Sequence, residues 1–444
     1  MKRTLLLLLA VSLIMSAFMF SEVCNQASKM YTPQGEVINP VPSVTDVSNW
    51  SVNSYQVLLN GHPFFAKGVC YQPVPVNEHP NNSPNGDYFT NNYAYIYNAD
   101  LDRMHQIGIN SLKIYSWYPD KDHSDFLNAC VSRGIYVIVG YYMPPGTIIG
   151  EYKAKLELFQ TLARMTASHP AIMGYMLGNE NVGGDVNNPS FWNNYNSIAA
   201  ALKTIAPNKL TFTGLVDDGM ISVKAGNNYM SSLDVWGINV FRGEHLGDFY
   251  STYQSASHKP CMVTELGFPS SIRDGNGDGQ PMPDNGEVTA EYIKTVVEEV
   301  DGESSVDHPE DPVAGVYIFE WNDEWWKQAC PSALHSCGQN CTAAPNTHDY
   351  ACPQFWAPST NYPAKTVVVH CSGNTRHFYT SKTDHTSGNF DSDMSSGKWQ
   401  EVGADCYKVD AFPGKYWDEE WFGIYTADRQ PRHAVNVLHE EWGN

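Results

Sequence analysis

An α/β fold of eight strand-and-helix units is what this chain of 444 residues predicts. Three observations predict it. Between Pro63 and Phe319, short apolar runs alternate with amphipathic stretches, the pattern of a parallel sheet with crossover helices. The apolar runs number eight. The residues best suited to chemistry stand just past the ends of those runs, where the loops of a closed barrel gather. Eight units in a row favour a (β/α)8 TIM barrel over an open sheet. The length accommodates one barrel of ~250 residues plus one small module.

The strands are expected at 64–71, 111–115, 136–142, 172–177, 210–213, 235–240, 262–265 and 316–319. Helical periodicity is clearest at 100–106, 123–133, 152–168, 190–206 and 287–300. A weaker helical pattern lies near 227–232, and the final helix is displaced to 430–440, where Pro431 suits a first turn. Residues 331–413 separate strand eight from that helix. Their Ser, Thr, Asn, Gly and Cys predict a small β-rich, disulfide-containing insertion after strand eight. The barrel then comprises 57–330 and 414–444, preceded by an extended lead-in at 22–56.

Residues 1–21 read as a secretory signal. Met1-Lys2-Arg3 precedes an apolar run from Leu5 to Phe20, which is short for a membrane span. The polar end His439–Asn444 argues against a lipid-anchor signal, which needs a hydrophobic tail. The formal charge is −21, and loss of Lys2 and Arg3 takes it to −23. So acidic a protein repels phosphate backbones and anionic membranes, which argues against nucleic acid and favours a neutral partner. Aromatic residues make up 13% of the chain, and their flat faces suit the C–H faces of sugar rings as well as ordinary core packing. Ten cysteines fit an oxidising compartment. Cys70, Cys130 and Cys261 fall in segments that read as buried, and Cys371 and Cys406 are expected to pair. Cys330, Cys337, Cys341 and Cys352 crowd one stretch without the paired spacing of zinc knuckles, so disulfides are favoured there over zinc. Asn49-Trp-Ser51, Asn81-Asn-Ser83 and Asn340-Cys-Thr342 are glycosylation acceptors in a eukaryotic host.

Two glutamates carry the chemistry. Glu180 follows strand four in Gly178-Asn179-Glu180, and Glu265 ends strand seven in Val263-Thr264-Glu265. Strands four and seven lie across a barrel's mouth from one another. Two carboxyl groups ~5–5.5 Å apart can divide a glycosidic displacement, one attacking the anomeric carbon and the other protonating the leaving oxygen. The bland alternative is a pair of strand-end glutamates neutralised by bases. Their apolar surroundings favour catalysis, because a carboxylate there is costly without work or partners.

The Asn-Glu pair after strand four and the glutamate ending strand seven resemble the clan of retaining (β/α)8 glycosidases that uses a 4/7 glutamate pair. In that clan the asparagine, here Asn179, contacts the sugar 2-hydroxyl. Lys67-Gly-Val-Cys-Tyr71-Gln-Pro73, Gly108-Ile-Asn-Ser-Leu-Lys113-Ile-Tyr115, Asp122-His123, Gly134-Ile-Tyr-Val137 and Trp236-Gly-Ile-Asn239 narrow the resemblance. They are similar to the β-1,3-glucanosyltransferases of glycoside hydrolase family 72. Leu59-Asn60-Gly61 is shared with family-2 β-galactosidase-like barrels, and family-5-like features accompany it. The resemblance implies a retaining β-glycosidase or transglycosylase of β-glucan, β-1,3-linked by preference. Glu265 would be the nucleophile and Glu180 the acid/base. The protein would be secreted to the extracellular space or cell wall, with a polysaccharide or oligosaccharide as partner. Three departures matter. Lys113 stands where the family has arginine and lacks its forked geometry. Phe241 stands where the clan has a tyrosine bonded to the nucleophile, so Tyr115 or Arg242 would have to donate instead. The anchor signal of fungal members is not seen.

Tyr71, Tyr115, Asn179, Asn239 and Trp321 are the expected substrate contacts, with Tyr141 and Tyr142 extending the aromatic surface. Glu320, Asp323 and Glu324 suit hydroxyl binding or nearby bases better than catalysis. No cofactor is required. Asp274, Asn276 and Asp278 open a D-x-N-x-D-G calcium-loop pattern, but position twelve is Asn285 and no flanking helix pair is evident, so a polar turn competes with structural calcium. Within the insertion, Trp356 to Val369 and Trp399 to Gly403 resemble small chitin- and cellulose-binding modules of families 5 and 12. The rivals are a family-2 or family-5-like β-galactosidase or mannanase, a non-catalytic glycan-binding barrel, and a structural wall protein.

Overall fold

The computed structural model describes residues 48–75, 87–115, 118–141, 143–270, 286–324, 356–401 and 422–443, apart from 363, 365, 366, 373, 374, 427 and 428. The barrel strands run, in order, Ala66–Cys70, Ser111–Ile114, Tyr136–Gly140, Ile172–Met176, a fifth in two pieces, Trp236–Asn239, Cys261–Leu266 and Val313–Ile318. Neighbours pair in parallel throughout, and the eighth pairs with the first, Gly315 opposite Ala66 and Ile318 opposite Val69. The fifth strand closes the ring. Its first piece, Leu210–Phe212, pairs with strand four, and its second, Leu215–Val216, pairs with strand six. A bridge from Phe212 to Val235 joins the seam. All eight expected strands are present.

Helices follow the strands in turn: Ala94–Gln106, Ser124–Val131, Tyr152–Thr166, Pro189–Ile205, Ile221–Gly226, Phe249–Ala256, Gly286–Asp301 and His433–Trp442. Three details correct the sequence reading. The helix after strand five lies at Ile221–Gly226, ahead of the expected 227–232. Phe249–Ala256 was not anticipated, because eight residues of mixed aromatic and hydroxyl type carry little periodicity. The last helix starts at His433 with Arg432 as its N-cap, so Pro431 precedes it rather than forming its first turn.

Side chains divide by strand parity. One apolar cluster fills the ring and includes Cys70, Ile138, Met173, Met176, Phe212, Met262, Tyr317 and Phe319. The larger one lies between sheet and helices and includes Val69, Tyr71, Leu112, Val139, Tyr175, Val263, Ile318 and Trp321. The expected lead-in is in part a hairpin. Trp50–Asn53 pairs with Gln56–Leu59, which pairs with His62–Pro63 across an Asn60-Gly61 turn, both residues at positive φ as such turns require. Trp50 stacks edge-on against Phe64 and Tyr136, stopping the end of the ring where the strands begin. Asn49 of the first glycosylation triplet is exposed, and the other two triplets lie outside the described residues.

The described part of the insertion holds an antiparallel sheet of Val367–Ser372, Thr375–Ser381 and Trp399–Glu401, and a short helix, Phe390–Ser395. Tyr362, Val368, Tyr379, Phe390 and Trp399 form its own small core, with Trp356 packed against it. The four crowded cysteines, the side chains of the expected Cys371–Cys406 pair, the signal segment, and Asp274, Asn276 and Asp278 lie outside the described residues. Cys70, Cys130 and Cys261 are buried, as their segments predicted, and carry free thiols.

Candidate active site

Residues two apart on a strand face the same way. Lys113 and Tyr115, at the end of strand two, therefore both project into the top of the ring, where strand seven delivers Glu265. Lys113 is fully buried. Its Nζ donates to Glu265 Oε1 at 2.6 Å, to Asn179 Oδ1 at 2.9 Å and to the Thr264 carbonyl at 3.2 Å, and approaches Asn239 Oδ1 at 3.5 Å. The Tyr115 hydroxyl donates to the same Glu265 oxygen at 2.6 Å. Burial above all, and then the nearby Cys70 and Glu265, push that hydroxyl well above the ordinary tyrosine range, so it keeps its proton and remains a donor. Both short bonds fall on Oε1. No bond to Oε2 is found among the described residues, so that oxygen retains its lone pairs.

The turn after strand four brings up the second carboxylate. Gly178 (φ 101°) and Glu180 (φ 50°) both take left-handed backbone, a costly conformation for glutamate that concentrates at functional sites. The Glu180 N–H donates to the Gly214 carbonyl at 2.7 Å, and Asn181 behind it is buried, accepting from Tyr195 Oη at 3.2 Å. A Cβ on Gly214 would sit 2.8 Å from Asn179 Oδ1, so the break in strand five needs glycine to admit Asn179. Asn239 joins the two glutamates' surroundings. Its Nδ2 donates to Glu180 Oε1 at 2.9 Å and to Asn179 Oδ1 at 3.2 Å, and its Oδ1 accepts from Thr264 Oγ1 at 2.8 Å. Glu265, Lys113, Asn179, Asn239 and Glu180 thus form one continuous hydrogen-bonded set. Beside it stand Phe241, Phe319 and Phe422, edge to face at centroid distances of 5.4 to 6.1 Å.

The expected residues separate against this geometry. Glu180, Glu265, Asn179, Asn239 and Tyr115 come together. Asn179 is half-buried, and its Oδ1 is taken by Lys113 and Asn239. Asn239 is corrected from substrate contact to internal strut: both its donors and both its lone pairs meet protein, and it is 2% exposed. Tyr115 commits its hydroxyl to Glu265, which answers the loss of the clan's tyrosine at Phe241. Arg242 does not serve there, because it grips Asp217 and Asp248. Tyr71 is corrected as well. It faces the helices, fully buried, and donates to Asp100 at 3.0 Å. Trp321 likewise packs outside the ring against Tyr425 at 4.4 Å, fully buried, and cannot floor the cleft. Tyr317 within strand eight and Phe319 just past its end are the aromatic residues turned inward there. Tyr141 is half-buried and Tyr142 lies outside the described residues. Asp323 is held bidentately by Arg432, both bonds 2.8 Å, and so serves the fold.

Sequence reading gave Lys113 only as a departure and missed Phe319, Phe422 and Thr264. Parity with Tyr115 marks Lys113 as inward-facing. Nothing local marks Phe422, which is distant in sequence from every strand.

Residues 41–204 match the family described as glucanosyltransferase, glycoside hydrolase family 72. The chain is similar to the 1,3-β-glucanosyltransferase PGA5 of Candida albicans, at 26% identity over 134 residues, 29% of this chain and 21% of that protein. It is similar to the 1,3-β-glucanosyltransferase GAS2 of Saccharomyces cerevisiae at 26% over 167 residues, 36% of this chain and 29% of that one. Similarity to the 1,3-β-glucanosyltransferase gas1 of Schizosaccharomyces pombe is 22% over 396 residues, 80% of this chain and 70% of that protein. The chain thus spans 21% of the length of PGA5 and 29% of that of GAS2. Among solved structures, a family-2 β-galacturonidase from Eisenbergiella tayi superposes with a TM-score of 0.53 at 15% identity, over 89% of this chain and 54% of that one. A β-glucuronidase from Bifidobacterium dentium gives 0.53 at 15%, over 89% and 49%. At such identity the likeness is one of fold, and it is the fold that the strand pairing describes.

Proposed function

We propose that this chain, related to the glucanosyltransferases through residues 41–204, is a secreted retaining enzyme. It acts on β-glucan, β-1,3-linked by preference, by double displacement. The observation that carries the reading is the hydrogen-bonded set running from Glu265 to Glu180 across the ring. Glu265 attacks the anomeric carbon through Oε2, while Lys113 and Tyr115 hold Oε1 and orient the carboxylate. Glu180 gives its proton to the leaving oxygen and then takes one from the incoming acceptor. Asn179 Nδ2 meets the 2-hydroxyl, where a hydrogen bond strengthens as the ring gains positive charge. Water as acceptor gives hydrolysis and a sugar hydroxyl gives transfer. The chemistry draws on no cofactor, and a calcium ion on Asp274, Asn276 and Asp278 would serve only the loop after strand seven. Secretion rests on the leader, and no helix among the described residues is long and apolar enough to cross a membrane.

The test is product analysis on defined β-1,3-glucooligosaccharides, with mannan and β-galactoside substrates alongside. Products longer than the substrate, formed with retained configuration, are expected. Inverted products would end the double-displacement reading. Turnover confined to the galactoside or mannan would transfer the assignment to the family-2 or family-5-like enzymes. For the roles, Glu265→Ala should abolish turnover. Glu180→Ala should keep activity on good leaving groups and yield a β-glycosyl azide with added azide, whereas an α-azide from Glu180→Ala would reverse the two roles.

A further inference from the structure

Strand seven carries one residue more than its neighbours across the site. Val263 lies opposite Ile238 but Glu265 opposite Asn239, and on the other side Val263 lies opposite Val316 and Leu266 opposite Ile318. The extra residue is a bulge at Thr264–Glu265, and bulges re-aim side chains beside active sites. Its effect here is that two consecutive residues both serve the interior. Glu265 enters the ring. The Thr264 carbonyl accepts from Lys113 at 3.2 Å and from the Cys70 thiol at 3.5 Å. The Thr264 hydroxyl, fully buried, donates to Asn239 Oδ1 at 2.8 Å. Room for its methyl group exists because position 237 is glycine, whose Cβ would fall 2.7 Å from Thr264 Cγ2.

The hydroxyl matters because an amide can sit either way round. With Oδ1 toward Thr264, Asn239 presents Nδ2–H to Glu180. Turned over, it would present a carbonyl oxygen to that carboxylate and an N–H to the Lys113 ammonium, and the Thr264 hydroxyl would accept from the N–H but lose the acceptor of its own proton. We infer that Thr264 is a positioning residue: with Lys113 on the same oxygen, it anchors the Asn239 amide, and through it holds Glu180 in place to protonate the leaving group. The inference rests on the assignment of Glu180 as acid/base. One bulge then serves both carboxylates, gripping through its carbonyl the lysine that holds Glu265 and through its hydroxyl the amide that holds Glu180.

The experiment uses the full chain and two aryl β-1,3-glucooligosaccharides, one with an activated dinitrophenolate and one with a poor leaving group. The constant kcat/KM reports the first displacement, and only the poor leaving group needs the acid. Thr264→Val, which conserves shape and removes the hydroxyl, should lower kcat/KM about tenfold on the poor leaving group and little on the activated one. Thr264→Ser should restore it. An equal loss on both substrates, or no rescue by serine, would overturn the inference, because a merely structural residue affects both alike. Unfolding midpoints of both variants close to wild type tie the loss to positioning, and a collapse of the valine variant alone would overturn it. Glu180→Ala in the same assay keeps the two questions apart. If it too loses activity equally on both substrates, the role of Glu180 falls and takes this inference with it. If it shows the selective loss and Thr264→Val does not, only this inference falls.

Discussion

Two buried lysines stand at opposite ends of the barrel, and they live by different rules. Lys113, at the end where the strands finish, has a carboxylate 2.6 Å away. Lys209, at the stoppered end, has only carbonyls among the described residues, those of Ser48 at 3.1 Å and His169 at 3.3 Å. Both are at most 1% exposed. Burial without a counter-charge pushes Lys209 down to about 8. The comparison teaches what a buried charge means in this fold. At the mouth it is one half of a pair that the proposed chemistry needs. At the base it tethers the hairpin strand to the loops before strands four and five, at an electrostatic cost.

The mouth gives the largest expected effects. Lys113→Met should reduce kcat/KM by about 10²–10³-fold, since a group that orients the attacking carboxylate is gone. It should also destabilise the fold by about 3–5 kcal/mol, because Glu265 is left buried and unpaired. Chemical denaturation checks the second figure. Pairing the change with Glu265→Gln should recover much of the stability and none of the activity. If Lys113→Met alone leaves stability untouched, the two lysines are not different in kind. Tyr115→Phe removes one neutral donor to a charged acceptor and should cost about 10–100-fold in kcat, with far less effect on stability.

At the base the effect is smaller and its signature is pH. A lysine held below its unfolded value of 10.5 weakens the native state wherever both forms are charged, and that loss is relieved as pH rises through about 8 toward 10.5. Lys209→Met removes the titration. Its stability relative to wild type should therefore fall by about 2 kcal/mol between pH 7 and pH 10. A difference that does not change with pH would mean that Lys209 is solvated, and the contrast with Lys113 would dissolve.

The sequence carried the ring and the two glutamates because both depend on local signals: apolar runs of strand length, and acidic residues just beyond two of them. It was poorer on facing. Tyr71 follows inward Cys70 and so must face out; Trp321 lies two residues beyond inward Phe319, yet packs outside the ring. Aromatic character at a strand end was a weaker guide than parity counted along the strand, and beyond the strand end parity fails as well. The roles of Thr264 and Asn239 were out of reach, because a bulge inserts its extra residue without any local mark and shows itself only against its neighbours' register. Phe422 reaches the ring only because the stretch after the insertion is laced to the end of strand eight, Glu320 N–H to the Phe422 carbonyl at 3.1 Å and Ile424 N–H to the Glu320 carbonyl at 2.9 Å.

Asp301 gives the smallest expected effect and the sharpest control on the base of the barrel. It closes helix Gly286–Asp301, and burial pushes its carboxyl up to about 6, with Lys67 opposing and Glu441 and Asp307 adding to the rise. A carboxyl above its ordinary 3.8 favours acid, so the native state loses stability as pH climbs from there through about 6 and stays lowered above it. Asp301→Asn should thus stabilise the protein at pH 7 to 8, and the gain should fade by pH 4. Partial exposure lets solvent screen the charge, which holds the gain to about 1 kcal/mol. His169 works in the other direction over the same range. Burial first, and then Lys209, hold it down to about 4, so acid destabilises the native state through this group. The midpoint of wild type alone therefore mixes opposing slopes, and only the difference between Asp301→Asn and wild type, followed from pH 4 to pH 8 by urea unfolding, isolates the carboxyl. A difference that grows with pH makes Asp301 the acidic counterpart of Lys209, a charge whose burial at the base of the barrel outweighs the relief that Lys67 gives it. A flat difference removes that likeness and leaves the strain at that end to the cations that burial lowers, Lys209 and Lys259 among them.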